Sequence, residues 1–252
     1  YVASTNYFVA QCCRKLGCLE EALECIIESI EHRTSVDVNR TMIGESYHLR
    51  GSIENDLGLF DDAIDSFTEA LKMRRQTVGK HHINYAESLH KLGDALYHTG
   101  ALEDAVTAYA KALVVRKSSF GMNHSDVGTT LYCLGNVSCE LGNINEALRY
   151  YSEALRIRRL LSDKDNDRSY AKTLHSIGVC YKMMGDADGA IKAFTEAMWA
   201  AKDLNIQAPS PMCIVKRSEI LFGQTKFLCV SKLAILPKIA VALVWARLVF
   251  LL

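Results

Sequence analysis

One interval recurs along the first 203 residues and constrains the fold more than any other feature. Gly17, Gly58, Gly100, Gly142 and Gly185 are separated by 41, 42, 42 and 43 residues. Ala22, Ala63, Ala105, Ala147 and Ala190 follow at the same steps. So do Ile26, Phe67, Tyr109, Tyr151 and Phe194, and then Ser29, Ala70, Ala112, Ala154 and Ala197. Seven residues before each glycine stands a second small residue: Ala10, Gly51, Gly93, Gly135 or Gly178. A fixed period of roughly 20–50 residues is the signature of an array in which each unit buries its apolar face against the next.

Each unit reads as two helices. Ala105, Tyr109 and Ala112 fall at i, i+4 and i+7, one face of a helix, and Leu89, Leu92 and Leu96 do the same one helix earlier. The first proline is Pro209, so none interrupts these segments. The turn glycine accepts the positive φ that ends the first helix. The small residues let two helix axes approach, and the aromatic fills the space beside them. The spacing therefore predicts an all-α, right-handed solenoid of about five helix-turn-helix units. Its expected bounds are 1–41, 42–83, 84–125, 126–168 and 169–203.

This pattern resembles the tetratricopeptide repeat. The period near 42 is similar to the longer version in kinesin light chains, and "GKHH" at 79–82 and "GMNHSDV" at 121–127 resemble degenerate forms of their G-x-D-H-P linker. The resemblance implies a concave groove lined by the first helix of each pair. Counting back ten residues from each turn glycine gives Tyr7, His48, His90, Tyr132 and His175, all carrying a ring. Six back stand Gln11, Ser52, Asp94, Asn136 and Val179, and three back Arg14, Asn55, Tyr97, Cys139 and Lys182. These rows share one helix face, expected opposite the Leu/Ala packing face. The candidate peptide groove is Tyr7, Gln11, Arg14, His48, Ser52, Asn55, His90, Asp94, Tyr97, Tyr132, Asn136, His175 and Lys182. The rings would stack on a partner, with His90 and Tyr132 central, and the polar side chains would bond its backbone. His48 and His90, with an ordinary imidazole pKa of about 6.5, would make binding pH-sensitive between about pH 5.5 and 7.5.

A second ladder, Arg33, Arg74, Arg116 and Arg158, ends the second helices and stops at Ala201. Cations there complement the helix dipole and can pair with an acid on the next repeat. The alternative is a basic stripe for an acidic partner or phosphates.

Composition narrows the function class. With 29 basic and 29 acidic residues, no global charge draws the chain to nucleic acid or a membrane. Glu45, Asp56, Glu87, Asp94 and Glu140 on or near the groove weigh against RNA. Nine cysteines show no CxxC pair, which fits small apolar residues in a reducing, cytoplasmic compartment. GxSxG, Walker-type and GxGxxG motifs are absent, as are HxxxH pairs, so neither a catalytic residue, a metal ligand nor a cofactor is expected.

The expected function is a non-enzymatic scaffold or adaptor that holds one extended protein or peptide segment across several repeats. The alternatives are a targeting or regulatory module of a larger protein and an RNA-binding solenoid. Residues 204–252 change character: all three prolines lie there, and "LAILPKIAVALVWARLVFLL" closes the chain. Three readings stand open for this tail: a helix capping the last repeat, a membrane anchor through 233–252, and a gene-model artefact.

Overall fold

The computed structural model describes residues 2–35, 40–161 and 164–203. These hold ten α-helices and no strand. They pair in chain order: α1 (Val2–Leu16) with α2 (Leu19–Ser35), α3 (Arg40–Leu57) with α4 (Phe60–Thr77), and α5 (Ile83–Thr99) with α6 (Leu102–Phe120). Then come α7 (Ser125–Glu140) with α8 (Ile144–Leu161), and α9 (Lys164–Met183) with α10 (Ala187–Asp203). Each helix packs on its neighbours in the chain, and each first helix also touches the first helix of the next pair. That connectivity is an α-solenoid, and the described residues belong to one compact unit. The tail readings concern residues 204–252, which lie outside the described residues. Among the described residues no helix is long and apolar enough to cross a membrane.

The five turns are built alike. Gly17, Gly58, Gly100, Gly142 and Gly185 have φ between 78° and 85°, a region that costs glycine little. The residue after each glycine donates its N–H to the carbonyl five residues back, as Ala101 does to Leu96 at 2.9 Å and Asn143 to Ser138 at 2.8 Å. This closes the orphaned carbonyls at the helix end. In the "GKHH" and "GMNHSDV" linkers, His82 and His124 cap α5 and α7, each imidazole Nδ1 accepting from the backbone N–H two residues on.

The small residue of each first helix faces the aromatic of its second helix. A Cβ placed on Gly93, Gly135 or Gly178 would lie 2.7, 2.5 or 2.7 Å from Tyr109, Tyr151 or Phe194. Gly51 faces Phe67 at 3.0 Å. In the first pair the small residue is Ala10 and the partner position holds the slimmer Ile26; both are fully buried. The chain therefore contains its own control: the methyl is present where the ring is absent.

The arginine ladder is where sequence and structure part. Arg33, Arg74, Arg116 and Arg158 are buried, so they form no basic stripe. Each Nη1 reaches into the next pair and donates twice, to a carbonyl in its first helix and to a hydroxyl one turn later. Arg33 bonds Met42 O at 2.6 Å and Ser46 Oγ at 2.8 Å. Arg74 bonds Asn84 O and Ser88 Oγ, the latter at 2.8 Å. Arg116 bonds Asp126 O at 3.2 Å and Thr130 Oγ1 at 2.7 Å. Arg158 bonds Ser169 O at 2.8 Å and Thr173 Oγ1. Among the described residues the expected acidic partner is found for Arg74, with Glu87 3.9 Å away. Burial lowers the pKa of all four guanidinium groups from the ordinary value, yet a guanidinium remains charged throughout the accessible pH range. Four junctions are thus held by the same charged staple.

Candidate functional site

The ring row does not sit opposite the core. Each ring packs on the second helix of its own pair. His48 lies 5.6 Å from Phe67 and His90 5.2 Å from Tyr109, centroid to centroid. Tyr132 lies 5.6 Å from Tyr151 and His175 5.2 Å from Phe194. The other side of the row meets the staple arginines: Arg33 covers the Tyr7 ring at 5.0 Å, and Arg158 covers Tyr132 at 4.8 Å. A tyrosine face attracts that cation. A histidine in the same place must stay neutral. Burial, then Arg74, holds His48 down to a pKa of about 3. Burial holds His90 down to about 4, with Arg116 pushing the same way against Asp94. The expected titration between pH 5.5 and 7.5 is therefore corrected, since both imidazoles stay neutral across that range. His90 is only 6% exposed, and the other four rings are half-buried.

The next row, six before the turn glycine, is also drawn inward. Tyr109 Oη donates to Asp94 Oδ1 at 2.7 Å, and Tyr151 Oη donates to Asn136 Oδ1 at 2.8 Å. Where the second helix carries Phe67 or Phe194 instead, this row holds Ser52 or Val179. Buried Ser52 donates to its own helix at His48 O, and Gln11 Nε2 donates to Tyr7 Oη at 3.1 Å. The acceptor tracks the phenol.

Arg14, Asn55, Tyr97, Cys139 and Lys182 are all half-buried. Arg14 crosses to the next first helix, its Nε 2.7 Å from Asp56 Oδ2, and a pocket of about 300 Å³ opens between Gln11, Arg14, Lys15, Leu49 and Asp56. First helices also meet through His48 Nδ1 and Ser88 Oγ at 3.1 Å and through Tyr132 Oη and Ser176 Oγ at 3.3 Å.

One group has mixed ligand character. A nitrogen of His90, a carboxylate oxygen of Asp94 and the Cys133 sulfur lie within 4.8 Å of one another. The carboxylate is already engaged by the Tyr109 hydroxyl and by Lys91 Nζ at 3.0 Å. These groups read as a packed polar cluster.

Two features escaped the sequence reading although a signal was present. The staple acceptors Ser46, Ser88, Thr130 and Thr173 step by 42, 42 and 43 residues, and follow the arginines by 13, 14, 14 and 15. Glu54, fully buried, accepts from Ser66 Oγ at 2.6 Å and from Arg50 Nε at 2.7 Å. It is particular to the second pair, so no ladder announced it.

Comparison with known proteins agrees with this architecture. The family described as "Tetratricopeptide repeat" matches residues 42–118 and 126–203, more than half of the chain. No curated protein matches in sequence. Among solved structures, BtubC (BKLC) from P. vanneervenii is 19% identical, with a TM-score of 0.71 over 88% of this chain and 84% of its own. A putative kinesin light chain with nearly identical TPR-like repeats from Podosopora anserina is 15% identical, with a TM-score of 0.68 over 81% and 98%. A Rap protein complexed with Competence and Sporulation Factor is 16% identical, with a TM-score of 0.63 over 85% and 56%. At these identities the likeness concerns the fold.

Proposed function

Because the chain belongs to the tetratricopeptide repeat family, a fold that serves generally as a protein-interaction scaffold, we propose that it binds an extended protein or peptide segment along the surface of its first helices, and that it does so as an adaptor rather than an enzyme. The observation that carries this reading is the division of labour among the three rows. Ring and middle-row groups bond mainly to the second helix of their own pair, whereas the outer row of Arg14, Asn55, Tyr97 and Lys182 recurs on the first helices of four pairs with its side chains part-exposed, Arg14 reaching across to Asp56. A row of amide, phenol and cationic groups at regular intervals suits the backbone carbonyls and acidic side chains of an extended segment. The half-buried edges of Tyr7, His48, Tyr132 and His175 would form its floor. The fold alone does not choose a partner, and the Rap protein's complex is a property of that protein.

The test is a library of unstructured peptides screened against the full chain, followed by titration of a selected binder. Asn55→Ala and Tyr97→Ala are expected to weaken it by about tenfold or more, the scale of a central interface contact. Lys111→Ala, exposed on α6, should leave affinity unchanged. Unchanged affinity in both outer-row variants would remove the groove from the proposal. Binding of random-sequence RNA that weakens steeply with salt would replace the peptide reading altogether.

A further inference from the structure

α7 and α9 are the first helices of successive pairs, and where they meet three sulfur atoms converge. Cys139 Sγ on α7 lies 4.0 Å from Cys180 Sγ and 3.8 Å from Met183 Sδ, both on α9. Cys180 and Met183 are three residues apart, so they share a face of that helix. Both cysteines are free. Both distances from Cys139 match the sides of a coordination triangle, since metal–sulfur bonds of about 2.3 Å radiating in a plane from one ion place the sulfurs about 4 Å apart, and the flexible Met183 side chain can adjust the third side.

The donor set decides which ion. Among the described residues no imidazole or carboxylate completes the cysteine pair. Glu140, next to Cys139 in sequence, is turned to a hydrogen bond with Tyr97. Two thiols and a thioether without oxygen or nitrogen donors are a poor set for zinc, calcium or magnesium. Thiolate and thioether sulfurs select the soft monovalent copper ion. We propose that Cys139, Cys180 and Met183 form a three-sulfur site for Cu(I).

The surroundings suit such a site. Cys180 is fully buried, Cys139 half-buried and Met183 56% exposed, so an ion enters past the thioether, whose three rotatable bonds let it swing aside. Each thiol releases one proton to solvent as its sulfur binds, and copper stays in the monovalent state, so no oxidant or reductant is needed. Cys139 also belongs to the outer groove row. An occupied site therefore clamps the first helices of the fourth and fifth pairs at the surface proposed for the partner. The metal reading does not depend on that partner.

The test uses the full chain under anaerobic conditions with a non-thiol reductant. Cu(I) is titrated against a coloured Cu(I) chelator, with Ag(I) as a redox-inert probe. The intact chain should hold back one Cu(I) more than Cys139→Ala does. Met183→Leu should weaken retention at least as much as losing an outer-shell partner does, about tenfold. Ag(I) should displace the ion and Zn²⁺ should not. Bound Cu(I) should also shield Cys139 from maleimide, read by peptide mass spectrometry. Cys12→Ser, an exposed thiol elsewhere, should not alter the difference between the intact chain and Cys139→Ala. Cys180→Ser can fail to fold because the residue is core, but Cys139→Ala and Met183→Leu sit at accessible positions. Equal copper retention by the intact chain and Cys139→Ala overturns the site, as does stoichiometric displacement by Zn²⁺.

Discussion

At the scale of single residues the chain compares five versions of one packing problem. The second-helix position that contacts the small residue is Ile26, Phe67, Tyr109, Tyr151 or Phe194, and two neighbours adjust to it. A ring excludes a methyl from the facing residue, and a phenol requires an acceptor fifteen residues earlier, Asp94 or Asn136. Gly135→Ala should therefore cost about 1–3 kcal/mol, the range for overpacking, measured as a fall in the denaturation midpoint. Adding Tyr151→Ile reproduces the Ala10/Ile26 pair of the first unit and should make the double variant more stable than the sum of the single effects. Strict additivity would show that ring and methyl do not compete. Tyr109→Phe should cost about 1.5–3 kcal/mol, because the lost bond runs to a carboxylate. Tyr109→Phe with Asp94→Ser, copying Phe67 with Ser52, should recover part of it.

The histidines belong to the same scale. His48 and His90 are held neutral in the fold, near pKa 3 and 4, while an unfolded imidazole titrates near 6.5. Below about pH 6.5 the unfolded chain therefore binds protons that the folded chain refuses, and stability falls as pH falls toward those lower values. Above it the term vanishes. Melting temperature should drop between pH 6.5 and pH 5, and His48→Tyr with His90→Tyr, the residue used in the first and fourth units, should flatten that drop. An unaltered pH profile in the double variant would show that other groups govern it.

Between elements, how much could be read from the sequence depended on the partner in each contact. Contacts between two side chains of fixed type left ladders in the sequence. The turn glycines, the alanines and the aromatic were legible for that reason, and so was the helix pairing. The staple was half legible. Its arginines form a ladder, but one of their acceptors is a backbone carbonyl supplied by Met42, Asn84, Asp126 or Ser169, residues with no common side-chain chemistry. On the first-helix face polarity does not by itself mean exposure. His90 and Asp94 are polar, yet they face a buried guanidinium and a buried phenol rather than water. Hydrogen bonding inside the array consumes the groups that a count of polar residues assigns to a partner.

For the molecule as a whole, stability resides in the units and their junctions. Arg116→Met keeps most of the apolar stem but removes the central staple, losing charged hydrogen bonds worth about 1.5–3 kcal/mol each. It should split or broaden the denaturant transition, because the array is then weakest in its middle. Arg33→Met acts on the first junction and should fray only the first pair, leaving the main transition in place. A single unshifted transition for Arg116→Met would mean that apolar packing alone couples the pairs.

The sameness of the four junctions also makes the chain's length negotiable. Removing residues 84–125 would bring Arg74 to the carbonyl of Asp126 and the hydroxyl of Thr130 in place of Asn84 and Ser88, the same two acceptors at the same offset. Asp126 would then follow Ile83 as Asn84 does. The shortened chain should fold with its helix content reduced in proportion, as a ladder remains a ladder when one rung and its spacing are taken out together. A cut that is not one whole period, through 84–121, would leave Asp126 and Thr130 about 14 and 18 residues beyond Arg74 instead of 10 and 14, one helical turn away from the staple. Copy number, in this protein, is a quantity that duplication or loss can change in whole steps without redesigning any contact.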